Sequence, residues 1–335
     1  MYSWQSKQWQ QITQRASLPH ALLLRGRAGT GKHCFAIALS QALLCNTSKL
    51  DKTACGMCPS CIWFAEGGHP DFKLISPEDT ENEADAPSNS AKQKAGKKSQ
   101  ISVTQIRQLI DYLSLSSHQV NSCRVVLISP AETLNLASAN ALLKMLEEPP
   151  IDTLFLLVTS QPQRLLATII SRCQAIDMPL PSKSESLTWL NTQGFNNAEM
   201  TLDLAGGAPL LALQMAEEGD ANLSMIKHLT MGEKLDAFVC APLFNSIGIE
   251  RALDALQKWV FDLLACKLAQ HLHYHSSHAN ALQALCKGVN LYALLRFQNI
   301  LIDAKKTASH PLNNELQLES ILLQYTQIFK PIKAR

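Results

Sequence analysis

The sequence predicts an α/β domain with a parallel sheet over residues 1–179, carrying a cysteine-bearing insertion and followed by two helical regions, 180–222 and 223–335. Three observations carry that expectation. Short, near-continuous apolar runs alternate with helix-period patterns through the first half, as expected for strands buried on both faces of a parallel sheet. A glycine-rich turn separates the first apolar run from the first long helix. Beyond Pro179 and Pro181 the strand signals fade and helical spacing takes over.

The elements follow in order. Ala21 to Leu24 reads as a strand, the glycine turn as a loop, and Phe35, Ile37, Ala38 and Leu43 as the apolar positions of a helix. Further strands are expected at Phe72 to Ile75, Val125 to Ile128, Leu154 to Val158 and around Ile176 to Met178. A helix is expected from Ala131 to Glu148, stopped by Pro149-Pro150. Residues 77–100 carry five acidic residues and then Lys92, Lys94, Lys97 and Lys98 among small polar residues. With almost nothing to bury, this stretch reads as a disordered surface insertion, and its lysines leave open a basic arm that contacts DNA. Gly206-Gly207-Ala208-Pro209 marks a turn in the second region. In the third, Ile249, Leu253, Leu256, Val260, Leu264 and Leu268 form one apolar stripe, suited to a bundle core or to oligomerisation.

Composition narrows the function classes. Of 335 residues, 46% are hydrophobic and 17% charged, which excludes a globally disordered chain. Thirty Lys and Arg against 28 Asp and Glu leave a formal charge of +2, so any nucleic-acid contact has to be local. No signal peptide or run of about 18 apolar residues is visible, and a cytoplasmic protein without membrane contact is expected.

Gly26-Arg27-Ala28-Gly29-Thr30-Gly31-Lys32-His33 fits a phosphate-binding loop up to its last position. There Gly26, Gly29, Thr30 and Gly31 would turn backbone N–H groups toward phosphate oxygens and Lys32 would reach the outer phosphates. The hydroxyl that should hold Mg²⁺ is replaced by His33, which cannot supply a hard oxygen ligand. Val125 to Ile128 should end in a metal-holding Asp and a water-polarising Glu. Ser129 and Pro130 stand there instead, with Glu132 two residues too late. ATP binding is left open, and no independent ATPase is expected.

Cys45, Cys55, Cys58 and Cys61 form C-x9-C-x2-C-x2-C, a spacing that closes four thiolates round one structural Zn²⁺ and makes 45–61 a zinc module. His69-Pro70-Asp71 reads as a turn before the next strand. Cys34, Cys123, Cys240, Cys266 and Cys286 read as ordinary buried thiols. His271, His273, His275 and His278 crowd an expected helix end with His271 and His275 on one face, a pair lacking a third ligand.

The loop, the cysteine spacing, Gly68-His69-Pro70-Asp71, the run Ala139 to Pro150 (ANALLKMLEEPP), and the stretch from Leu165 through Ser171-Arg172-Cys173 together resemble the bacterial clamp-loader subunits, AAA+ proteins of the DNA polymerase III holoenzyme. The resemblance is dense to about residue 215 and only compositional beyond. It implies a small helical lid over 180–222 and an all-α collar over 223–335 that holds a five-membered ring. The partners it implies are the gamma or tau motor subunits and the delta subunit, with the sliding clamp and primed DNA engaged through the assembled ring. It further implies that Arg172 reaches the ATP site of a neighbouring subunit as an arginine finger, although Arg172 taken alone reads as a surface or ion-paired arginine. Motor members carry a nucleotide-sensing arginine where this chain has Leu210, so the degenerate loop resembles the non-hydrolysing branch. Thr104, as the cap of a helix containing Arg107, and Arg107 itself are the candidates for template phosphates, with plain helix capping and surface charge as the alternative. The rival readings are an active gamma- or tau-type ATPase and a zinc-dependent nucleic-acid-binding protein.

Overall fold

The computed structural model describes residues 1–15, 17–47, 52–77, 100–114, 123–195, 198–217, 221–307 and 313–329. Of the expected insertion at 77–100, residues 78–99 lie outside the described residues. The chain divides into two compact units, Met1–Pro181 and Ser182–Arg335.

The first unit is built on five strands, β1 (Ala21–Arg25), β2 (Phe72–Ile75), β3 (Arg124–Ile128), β4 (Thr153–Thr159) and β5 (Gln174–Asp177), in the order β2-β3-β4-β1-β5. All four pairings are parallel, with Leu22 opposite Leu156 on one side and Gln174 on the other. Its helices are α1 (Ser6–Thr13), α2 (Lys32–Leu44), α3 (Pro59–Ala65), α4 (Val103–Ser114), α5 (Leu136–Glu147) and α6 (Ala167–Arg172).

Strand side chains alternate between two faces, and both faces are covered. Leu23, Val126, Ile128, Phe155 and Leu157 pack with Ile106 and Leu109 of α4, Leu142 and Leu146 of α5, and Ile169 of α6. Leu22, Leu24, Val125, Leu127, Leu154 and Leu156 pack on the other side with Trp9 and Ile12 of α1 and Phe35 and Leu39 of α2. Each such side chain, withdrawn from water, contributes about 1.5–3 kcal/mol, which explains why strands this short suffice.

The second unit is helical throughout its described residues: α7 (Lys183–Thr192), α8 (Ala198–Leu204), α9 (Pro209–Glu217), α10 (Ala221–Leu229), α11 (Ala237–Ser246), α12 (Ile249–Ala269), α13 (Ala279–Gly288), α14 (Leu291–Thr307) and α15 (Asn314–Gln327). Leu190, Ala198, Leu202, Ala205 and Ala212 form a small core of their own. A larger core gathers Met225, Phe244, Leu256, Trp259, Phe297, Leu322 and Tyr325. Inside it the Trp259 indole N–H donates to Tyr325 Oη at 2.8 Å, and that hydroxyl donates to the Leu229 carbonyl at 2.8 Å, tying α12, α15 and α10 together.

Four local expectations need correction. The helix expected over Ala131 to Glu148 is a short 3-10 turn, Ala131–Thr133, and then α5, which Asn135 starts afresh by accepting the Ser138 N–H at 2.8 Å. Thr104 does not cap α4. Ser102 does, its hydroxyl accepting the Gln105 N–H at 3.3 Å while Gln105 Oε1 accepts the Ser102 N–H at 2.8 Å. His271 and His275 share no helix face, because α12 ends at Ala269 and Gln270 turns left-handed with φ 53°. Cys34 is exposed and Cys123 half-buried, while Cys240, Cys266 and Cys286 are buried as expected.

Candidate functional site

The glycine loop leaves the carboxyl end of β1, where parallel sheets open their ligand crevices. Gly29 and Gly31 take φ +76° and +83°, conformations that side chains rarely adopt. Gly26 answers a different need: a Cβ there would stand 2.2 Å from the Met178 carbonyl oxygen.

The loop is folded onto its own side chains. Lys32 is buried, and its ammonium donates to the Arg27 carbonyl at 2.5 Å, an oxygen that also accepts the Thr30 hydroxyl at 3.0 Å. Burial pulls the Lys32 pKa down to about 8, opposed by attraction to Glu132. Residues 2–5 lie against the same turn. The Trp4 indole N–H and the Gln5 amide both donate to the Thr30 carbonyl, at 3.1 and 3.0 Å, and Tyr2 stacks on Trp4 with its ring edge against Gly31. Nothing in the periodicity of MYSWQ signalled this placement.

The two positions where a motor ATPase holds its metal meet each other. His33 Nδ1 and Ser129 Oγ share a hydrogen bond at 3.0 Å. Glu132 Oε1 accepts the Ser160 N–H at 3.1 Å, bridging the ends of β3 and β4, while its buried Oε2 has no hydrogen-bond partner among the described residues.

The four cysteines converge. Cys45 directly follows α2, Cys58 precedes Pro59 at the start of α3, and Cys61 lies within α3. Their sulfurs all lie within 4.8 Å of one another, with Cys45–Cys58 and Cys55–Cys61 at 3.9 Å. Thiolates at about 2.3 Å from a tetrahedral zinc stand about 3.8 Å apart, so the donor set fits such an ion. The Thr47 hydroxyl and the N–H groups of Met57 and Cys58 donate to Cys55 Sγ at 3.3–3.4 Å and hold its thiol down at about 5. Among the described residues this is the only group of three or more His, Cys, Asp or Glu placed to hold a metal.

His69 is not a ligand. Its Nδ1 accepts the Asp71 N–H at 3.1 Å, which leaves Nε2 to donate to Ser60 Oγ at 2.9 Å, and Ser60 donates to the Leu44 carbonyl at 2.5 Å. This neutral relay clips α3 to the end of α2, and burial keeps the imidazole below its usual pKa.

Arg172 is the last residue of α6, about one-third exposed. Its Nη1 donates to the Thr168 carbonyl at 3.0 Å, and Nη2 stands 2.6 Å from Glu147 Oε1. Thr104 and Arg107 lie exposed, three residues apart on α4. Leu210 is half-buried in the first turn of α9.

Sequence reasoning missed Asp262, which is fully buried on α12. Its carboxylate accepts the N–H groups of His273, Tyr274 and His275 at 2.8–3.3 Å and pairs with His275 Nδ1 at 2.8 Å. That network absorbs one of the four clustered histidines into structure. A lone Asp on an apolar stripe was the available signal.

Comparison with known proteins adds the family. A family model described as DNA polymerase III, delta subunit, matches residues 3–182. The DNA polymerase III subunit delta' of Pseudomonas aeruginosa is 32% identical over 349 residues, 99% of each chain. That of Yersinia pestis is 34% identical over 275 residues, 78% of this chain and 75% of its own. Bacillus subtilis DNA polymerase III subunit tau is 33% identical over 158 residues, 47% of this chain and 24% of tau. No helix among the described residues is long and apolar enough to cross a membrane. With a parallel sheet, a phosphate loop stripped of its metal-holding groups and a full-length match of this kind, the chain belongs to the clamp-loader family as a member of the DNA polymerase III delta prime subunits.

Proposed function

We propose that the chain is a non-hydrolysing AAA+ subunit of a clamp loader, which helps place the sliding clamp on primed DNA and lends an arginine to the ATP site of a neighbour. The observation that carries this reading is the hydrogen bond between His33 and Ser129 at 3.0 Å, which joins the two positions a motor needs for Mg²⁺. Phosphoryl transfer depends on metal, lysine and water-positioning groups held in register. Here Lys32 is turned onto its own loop and no acid stands at Ser129 or Pro130. The same arrangement disfavours the gamma- or tau-type motor.

Arg172 fits the trans role by its exposure and by a planar fork suited to charge on a γ-phosphate. Cys45, Cys55, Cys58 and Cys61 would hold Zn²⁺, whose contribution is to cross-link the α2–α3 elbow without chemistry at an open position. The two separate cores of the helical unit support a lid over 180–222 and a collar over 223–335. Gamma or tau and delta subunits are the proposed ring partners. Exposed Thr104 and Arg107 are candidates for DNA phosphates, and a replication subunit of this kind works in the cytoplasm.

The test is hydrolysis of Mg-ATP by the purified chain and by a loader reconstituted with motor and delta subunits, clamp and primed DNA. The chain alone is expected to show background turnover. The loader carrying Arg172→Ala is expected to assemble yet lose part of its clamp-stimulated rate, since one site of several is affected. Steady turnover by the chain alone that disappears on Lys32→Ala would overturn the reading in favour of a motor.

A further inference from the structure

Arg172 and Glu147 end two neighbouring helices of one layer, α6 and α5, whose Ile169, Leu142 and Leu146 share a core. An arginine at a helix C-terminus is favoured by the helix dipole, and a glutamate there is disfavoured. Glu147 thus occupies a position its own helix makes unfavourable, and the group beside it is the Arg172 guanidinium, Nη2 at 2.6 Å. The Thr168 carbonyl takes an N–H of Nη1. Between them these two acceptors fix the plane of the guanidinium, and the Nε edge is taken by neither.

Both side chains are substantially exposed, 34% for Arg172 and 49% for Glu147, so the pair adds little to stability. Its effect lies in direction. A long, unrestrained arginine loses considerable rotamer freedom when it docks on a phosphate, and a fork already held in plane loses less.

We propose that Glu147 is a positioning residue for Arg172, orienting its guanidinium toward the phosphate chain of a nucleotide bound by the adjacent subunit. This rests on the reading of Arg172 as a donor in trans.

The experiment uses the reconstituted loader with wild-type, Glu147→Ala, Arg172→Ala and doubly substituted subunits, reading kcat and KM for clamp- and DNA-stimulated ATP hydrolysis and the Tm of each free subunit. The rate owed to Arg172 is the difference between wild-type and Arg172→Ala loaders. Glu147→Ala is expected to cut that rate by about fivefold, the upper reach of an exposed ion pair, with KM and Tm unchanged. In the Arg172→Ala background it should do nothing further. A Glu147→Ala loader at or above the wild-type rate beside a slow Arg172→Ala loader overturns the positioning role alone, and so does a Glu147 effect that persists without Arg172. An Arg172→Ala loader at the wild-type rate overturns the trans role itself.

Discussion

Asp262 shows how one carboxylate can organise the turn that follows a helix. Burial, the largest influence on it, raises its pKa, but donation from His275 and from the backbone of His273 and His275 outweighs that, and the net value lies below the ordinary one. Because folding lowers this pKa, the stabilisation is complete above the usual carboxylate range and is lost as pH falls through the depressed value. Thermal unfolding followed from pH 7 to pH 3 should therefore fall more steeply for the wild type than for Asp262→Asn, and parallel curves would refute the assignment. At neutral pH Asp262→Asn should cost about 1–3 kcal/mol, since an amide group then faces donors it cannot accept from on both sides. Gly26→Ala is expected to lower stability by about 1–3 kcal/mol, as the Met178 carbonyl at 2.2 Å has to give way; an unchanged Tm would show that the strand end yields freely. The sequence announced the loop glycines and the cysteines by spacing and motif, and pointed to Arg172 only through the family resemblance. It did not announce the His33–Ser129 bond or the Asp262 network, because each joins residues through tertiary contact that no local period encodes.

Among the elements, the α2–α3 elbow depends on the four sulfurs and on the Ser60–His69 relay. The wild-type chain purified without chelator should carry one equivalent of zinc by elemental analysis. Cys58→Ser/Cys61→Ser should lose it and show faster amide exchange confined to α3 and the end of α2. A full equivalent of metal in that variant would place the ion elsewhere. The three central strands, β1, β3 and β4, were legible from their apolar runs because both faces of the sheet are covered there, whereas the edge strands β2 and β5 bury little beyond Ile75 and Ile176. The α12 stripe was legible only in part: Ile249, Leu253, Leu256 and Val260 are buried, but Leu264 is half-buried and Leu268 is 69% exposed. Successive steps of four overshoot a turn of about 3.6 residues, so the core follows Trp259, Leu263 and Cys266 instead. The caps at Ser102 and Asn135 were written in the sequence as Ser-x-x-Gln and Asn-x-x-Ser, and attention to apolar spacing passed over them.

At the scale of the whole molecule, residues 1–181 and 182–335 each own a hydrophobic core. Calorimetry should then give a total unfolding enthalpy larger than the van't Hoff value of its main transition, and residues 1–181 expressed alone should unfold cooperatively. A single two-state transition of the full chain would argue against that separation. The order β2-β3-β4-β1-β5 also sets a timetable for synthesis. β1 is made first, yet both its neighbours, β4 and β5, begin only at Thr153 and Gln174. At about 5–20 residues per second the ribosome takes on the order of ten seconds to deliver them. For that interval Leu22, Leu23 and Leu24 have no strand on either side, so the nascent chain carries this fully buried, leucine-rich strand unpaired until nearly the whole first unit has been made, and chaperones that shield extended apolar segments have their longest opportunity there.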